Sequence, residues 1–136
     1  MSSNELDPRL TNPLHLLWLD SDDATVNLGK PALTQQGWFV DQACTLVEAL
    51  DRISRTNYAM VILDLQLPDT LGTDAWTYIR KLKPGMIGIM TTRSLSLFNL
   101  IRVDADGLVA YLHKPLSMPT VLNIIAQELK RIYRPN

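Results

Sequence analysis

Acids, hydroxyls and a lysine recur in one setting along this chain of 136 residues, directly after a short apolar run. Leu16-Leu17-Trp18-Leu19 is followed by Asp20-Ser21-Asp22-Asp23, and Met60-Val61-Ile62-Leu63 by Asp64. Met86-Ile87-Gly88-Ile89-Met90 leads into Thr91-Thr92, and Leu108-Val109-Ala110-Tyr111-Leu112 into His113-Lys114-Pro115. If these runs lie side by side and point the same way, carboxylates, a pair of hydroxyls and a lysine meet at one edge. Crowded carboxylates repel unless a cation joins them. Mg²⁺ is such a cation, taking oxygen ligands while keeping positions open for phosphate oxygens. A carboxylate there can act as a nucleophile and become an aspartyl phosphate. Lysine and a hydroxyl then bind the oxygens of the transferring group.

The runs need a scaffold that aligns them. Together with Trp38-Phe39-Val40 they have the length of strands buried on both faces of a parallel sheet. Helical stretches lie between. Asp23 is expected to cap one over residues 23–36, stopped by Gly37, with Pro31 near a kink. Thr45 with Glu48 three residues on has capping-box spacing. Helices are further predicted over residues 73–82 and 94–103, the latter before Asp104-Ala105-Asp106-Gly107. Ser117 and Pro119 open the last one, where Val121, Leu122, Ile125, Leu129 and Ile132 form a stripe. Strand then helix, five times over, predicts a doubly wound α/β sandwich with its site outside the carboxyl ends of the strands.

Composition narrows the function classes. The chain is 46% hydrophobic and 20% charged with a net charge of −1, so it lacks the basic footprint of a direct nucleic-acid ligand. No apolar run approaches the roughly 20 residues needed to cross a bilayer. The single cysteine, Cys44, makes no internal disulfide and is compatible with the cytoplasm, the expected location. Residues 1–12 read as a flexible polar leader and residues 13–134 as one domain.

With the motifs in this order, the chain resembles the receiver domain of two-component response regulators, of the chemotaxis-regulator type. Val61-Ile62-Leu63-Asp64 carries the family's strand and phosphoacceptor, with Pro68 four positions on and Gly72 eight. Tyr111-Leu112-His113-Lys114-Pro115 is similar to its aromatic, apolar, variable, Lys, Pro ending, and Gly37 to Asp64 has its usual spacing. The resemblance implies a flavodoxin-like three-layer fold with strand order 2-1-3-4-5. It also implies phosphorylation of Asp64 by a histidine kinase or phosphotransfer protein. Lys114 and Thr91 would bind the phosphoryl group, and Thr91 and Tyr111 would act as the switch. Mg²⁺ would sit on Asp20, Asp64 and the backbone carbonyl of Gln66. No enzyme activity is implied beyond Mg²⁺-assisted self-phosphorylation and self-dephosphorylation. Residues 94–133 would change their preference for an output partner or a second copy.

Two positions depart from the pattern. Ser21 stands where receivers usually carry the acid that touches Mg²⁺, so a weakened metal site is expected, with Asp22 as a further candidate ligand. A shifted register, with Asp22 and Asp23 as the acidic pair, stays open. Thr92 replaces a very small residue and is expected to restrict access to the phosphorylated Asp. Two other functions compete. One is a receiver-like interaction module that works without phosphorylation. The other is an aspartyl-phosphate phosphatase of the haloacid-dehalogenase type, with Asp20-Ser21-Asp22 as its motif. His15 and His113 read as structural or solvated, Trp18 and Met90 as core, and Trp76 as partly exposed. The many apolar residues of the 94–103 helix, with Ile124, suggest an interface.

Overall fold

Aliphatic runs too short for helices pair into one parallel sheet, because side chains alternate between faces with a period of two. In the computed structural model, which describes residues 14–100 and 107–132, the strands are β1 (His15–Leu19), β2 (Phe39–Ala43), β3 (Met60–Asp64), β4 (Ile87–Thr92) and β5 (Leu108–His113). Their order is β2-β1-β3-β4-β5, all parallel, as the resemblance implied. The helices between them are α1 (Asp23–Thr34), α2 (Leu46–Arg55), α3 (Gly72–Leu82), α4 (Leu95–Leu100) and α5 (Met118–Ile132).

Alternate residues of each central strand enter two separate cores. Leu17, Leu19, Val61 and Leu63 cluster with Ala49 and Ile53 of α2 and Ala75, Trp76 and Ile79 of α3. Leu16, Trp18, Met60 and Ile62 cluster with Val26 and Leu33 of α1 and Val121 and Ile125 of α5. Burying each such aliphatic side chain contributes about 1.5–3 kcal/mol. The two clusters clamp the middle of the sheet and leave only its ends for chemistry.

Several expectations shift once neighbours are in place. β2 begins at Phe39 rather than Trp38, and Phe39 is exposed because an edge strand has one flank uncovered. Asp22, not Asp23, is the N-cap of α1, its side chain accepting from the Thr25 N–H. The helix ends at Thr34, and the turn beyond it passes through Gly37 at φ 87°. Trp76 is buried rather than partly exposed, its ring seated where Gly88 leaves room. Ile124 packs against the α1–α5 core. The Thr45–Glu48 cap forms: the Glu48 N–H donates to Thr45 Oγ1 at 3.1 Å while the Glu48 carboxylate accepts from the Cys44 N–H at 2.7 Å. The proposed leader, the loop Asp104-Ala105-Asp106 and most of the apolar side chains named for the 94–103 helix lie outside the described residues.

The turn after β3 is built to close tolerances. The Gly72 N–H donates to Leu65 O at 2.5 Å, and a Cβ at Gly72 would stand 2.5 Å from Asp64 O and 2.7 Å from Leu65 Cα. Backbone cannot yield as a side-chain tip can. In the same turn the Asp69 carboxylate accepts from the Leu46 and Val47 N–H groups, pinning the turn to the start of α2. G72A is therefore expected to destabilise by about 2 kcal/mol, within the usual range for overpacking. G85A, where a Cβ meets nothing within 4 Å, should stay within about 0.5 kcal/mol of the parent. Urea unfolding of both variants checks this, and equal midpoints would refute the close-approach account.

Candidate functional site

The hydrogen-bond ladder sets which groups share the carboxyl edge. Leu19 pairs with Leu63, Asp64 with Thr91, and Thr92 with His113. The ladder then runs one step further: Asp20 N–H donates to Ala43 O at 2.8 Å, Leu65 N–H to Thr91 O at 2.8 Å, and Lys114 N–H to Thr92 O at 2.7 Å. Asp20, Asp64, Thr91 and Lys114 are thereby brought to one level from four strands.

Lys114 is the centre of the arrangement. Its Nζ lies 2.9 Å from Asp20 Oδ2, 2.9 Å from Asp64 Oδ2 and 3.8 Å from Asp22 Oδ2. Burial works against its charge, but hydrogen bonds to Asp20 and Asp64 outweigh that and hold the ammonium above the ordinary lysine range. Burial also pushes the Asp20 carboxyl above the usual carboxylate range, against the pull of Lys114. The remaining carboxylate oxygens are held locally. Asp20 Oδ1 accepts from the Asp22 N–H at 2.9 Å and Asp64 Oδ1 from the Gln66 N–H at 3.1 Å. The Asp20 side chain has no exposure, whereas that of Asp64 keeps 12%. That difference selects Asp64 as the carboxylate an incoming group can reach. Its neighbour Thr91 is fully buried, and its hydroxyl donates to Leu63 O over a long 3.5 Å. Tyr111 is half-buried beside the α2–α3 core, and burial, then the Asp64 charge, raises its phenol.

The departures now have geometry. Ser21 is exposed. Asp22 is engaged twice over: it caps α1, with Thr25 Oγ1 donating to its Oδ2 at 2.7 Å, and Arg93 ion-pairs with the same oxygen. The Asp23 carboxylate accepts from Gln42 at 2.9 Å. The shifted register is thus not the one assembled, because Asp20 is the acid that joins Asp64 on the lysine. Thr92 is buried with its hydroxyl accepting from the Ser94 N–H at 3.1 Å, so it shapes the loop after β4. Lys114 precedes Pro115 through a cis peptide bond. Arg93 is the residue that sequence reasoning missed. No motif marks it, and only its place two residues after Thr91 was available as a signal.

The donor set fits a hard dication. Asp20 Oδ2 and Asp64 Oδ2 already share one cationic centre in Lys114, and all the candidate donors are oxygens. Asp20, Asp64 and the Gln66 carbonyl would hold the ion. Among the described residues no group of three His, Cys, Asp or Glu side chains is assembled for a metal.

The family model of the response regulator receiver domain matches residues 16–126. Over 119 residues the chain is 29% identical to the transcriptional regulatory protein GlrR of Escherichia coli (strain K12), covering 88% of this chain and 27% of that protein. The curated relatives are longer, and the chain spans between 27% and 51% of their length. Its fold superposes on a CheY-like response regulator receiver domain protein from Methanospirillum hungatei JF-1 with a TM-score of 0.77 and 32% identity, covering 86% of this chain and 94% of that one. It also superposes on response regulator protein TrrA from Thermotoga maritima, solved with Mg²⁺ and BeF, with a TM-score of 0.72 and 24% identity, covering 83% of this chain and 96% of that one. This last likeness is one of fold.

Arg93, then Thr25, holds the Asp22 carboxyl below the usual carboxylate range. Its contribution to stability is therefore present above about pH 4, the unfolded value, and fades as pH falls toward the lower folded one. Parent and D22N, which keeps a capping oxygen, are to be compared by urea unfolding at pH 7 and pH 3. The parent is expected to lose more stability than D22N, by a small margin because the Arg93 side chain is exposed and its charge is screened by solvent. Equal losses would refute it.

Proposed function

The chain belongs to the receiver domains of two-component response regulators, and on that premise we propose that Asp64 accepts a phosphoryl group from a histidine kinase or phosphotransfer protein. The observation that carries this is the pairing of Asp64 Oδ2 with Lys114 Nζ at 2.9 Å, on the more accessible of the two buried acids. A carboxylate oxygen of Asp64 attacks phosphorus as the bond from phosphorus to the donor imidazole nitrogen breaks. The electron pair leaves with that nitrogen. Lys114 follows the negative charge from carboxylate to phosphoryl oxygens, an electrostatic role in a water-poor site. The Thr91 hydroxyl, weakly held on Leu63 O, turns to a phosphoryl oxygen. Tyr111 pairs across the sheet with Met90, next to Thr91, and fills the space the hydroxyl vacates. Mg²⁺ on Asp20, Asp64 and the Gln66 carbonyl supplies further neutralisation of the phosphoryl oxygens when bound.

The chemistry is that of a switch, with no turnover beyond self-phosphorylation and self-dephosphorylation. The output is a changed surface over residues 94–133, meeting a partner or a second copy. Relatives such as GlrR are transcriptional regulators, so an output domain elsewhere in a longer protein suits this surface. A site in the cytoplasm suits the proposed donors, and among the described residues no helix is long and apolar enough to cross a membrane. A second function has its own support. Ser21, and the pairing of Asp22 with Arg93, favour a module that binds partners without phosphate.

Incubation with acetyl phosphate and Mg²⁺ separates the two. The parent is expected to gain one phosphoryl group by intact mass and D64N none, with K114A slowed about a hundredfold or more. A parent that neither gains mass nor shifts its amide NMR spectrum with beryllofluoride would refute phosphorylation at Asp64 and favour the phosphate-independent module.

A further inference from the structure

Three carboxylate oxygens surround one ammonium, but only two of them touch it. Asp20 Oδ2 and Asp64 Oδ2 each stand 2.9 Å from Lys114 Nζ, while Asp22 Oδ2 stands 3.8 Å away. The third acid is turned outward. Its Oδ2 takes both Thr25 Oγ1 and the Arg93 guanidinium, and Arg93 Nη2 also reaches Thr25 Oγ1 at 3.2 Å. Arg93 belongs to the loop after β4, whose course the Thr92 hydroxyl holds through Ser94. Asp22 belongs to the loop after β1. The ion pair therefore ties two loops across the mouth of the site.

The position of this pair gives it a consequence for cation binding. Ser21 is neutral and exposed, so the two acids on Lys114, Asp20 and Asp64, gain no third from that position. Asp22 is the neighbouring acid able to make up the deficit, and Arg93 neutralises it. The Arg93 side chain is 62% exposed, so water and salt compete with the pair and an incoming dication can exchange for it. We propose that Arg93 is a positioning residue that latches Asp22 away from the divalent-cation site. With the latch closed the site offers two carboxylates; with it open it offers three. Reciprocally, a bound dication loosens Arg93 from Asp22, because coupling between two equilibria has the same size in both directions. Cation occupancy is thereby communicated to the loop that follows Thr91 and Thr92 of β4 and leads into α4. The inference rests on the receiver chemistry proposed above.

The test is direct binding of Mn²⁺, followed by electron paramagnetic resonance of the free ion at constant ionic strength, with Mg²⁺ as competitor. R93A is expected to bind at least about fivefold more tightly than the parent, a coupling of ordinary size. In the D22N background the same substitution should change affinity by less than about twofold, since no acid is left to release. A gain from R93A that is equal in both backgrounds would reduce Arg93 to a general repulsion of cations and overturn the latch. S21D serves as reference. If S21D gains affinity and R93A does not, the latch is wrong and the metal site stands. If parent, R93A and S21D all fail to bind, the latch and the metal-dependent chemistry both fall. Arg93 is exposed, so circular dichroism should show R93A folded like the parent. Mg²⁺ should also move the Arg93 Nε–Hε resonance in the parent but not in D22N, and an unmoved resonance at saturating Mg²⁺ would refute the reciprocal coupling.

Discussion

A lysine whose side chain keeps only 1% of its exposure has to be matched by negative charge, and here carboxylates from the ends of β1 and β3 supply it. Taking three charged groups out of water is unfavourable, and only close geometry offsets it. Removing one member of such a buried set typically costs about 3–5 kcal/mol, because the others are left uncompensated. The site is thus poised by its own counter-ions. Lys114 is the cation that Asp64 Oδ2 meets, and it draws the Asp20 carboxyl down against the burial that raises it. Any group arriving at Asp64 must reorganise that balance, and the reorganisation is what a switch can transmit.

The sheet makes this balance possible. Two apolar cores fix β1 and β3 side by side to within a residue of register, and a one-residue slip would turn every side chain to the other face. The ladder extends past the strands, so that Lys114 is placed by Thr92 O and Leu65 by Thr91 O. Gly72 lets α3 begin against the backbone of Asp64, and Asp69 ties the same turn to α2. The candidate nucleophile therefore stands on a rigid strand end, paired with Thr91 of β4. The Thr91 hydroxyl is held by one long hydrogen bond, and Arg93, in the loop after β4, by an exposed ion pair.

Charge at the mouth of the site is divided between two loops. The deficit at Ser21 is local, whereas the acid able to make it up sits one residue away and faces an arginine from another loop. An N-cap and a metal ligand ask different orientations of the same carboxylate. Asp22 serves the cap and Arg93, so its orientation is set in part by the loop after β4.

Much of this protein is legible from its residues alone. Apolar runs of strand length, separated by capped amphipathic stretches, determine the class of fold, because burial on both faces of a sheet leaves no other pattern. The spacing of Asp64, Pro68 and Gly72, and of Tyr111 and Lys114, carries the resemblance to receivers that implies the candidate nucleophile and its lysine. Tertiary structure decided the rest. The edge position of β2 let Phe39 face solvent, and the room at Gly88 drew Trp76 inward, neither being a local property. The partner of Asp22 lies 71 residues away in Arg93, and no periodicity encodes a pairing made only when two loops meet. Asp64 and Lys114 were readable in the sequence; Arg93, the cation that holds their neighbour Asp22, became visible only where the strands end together.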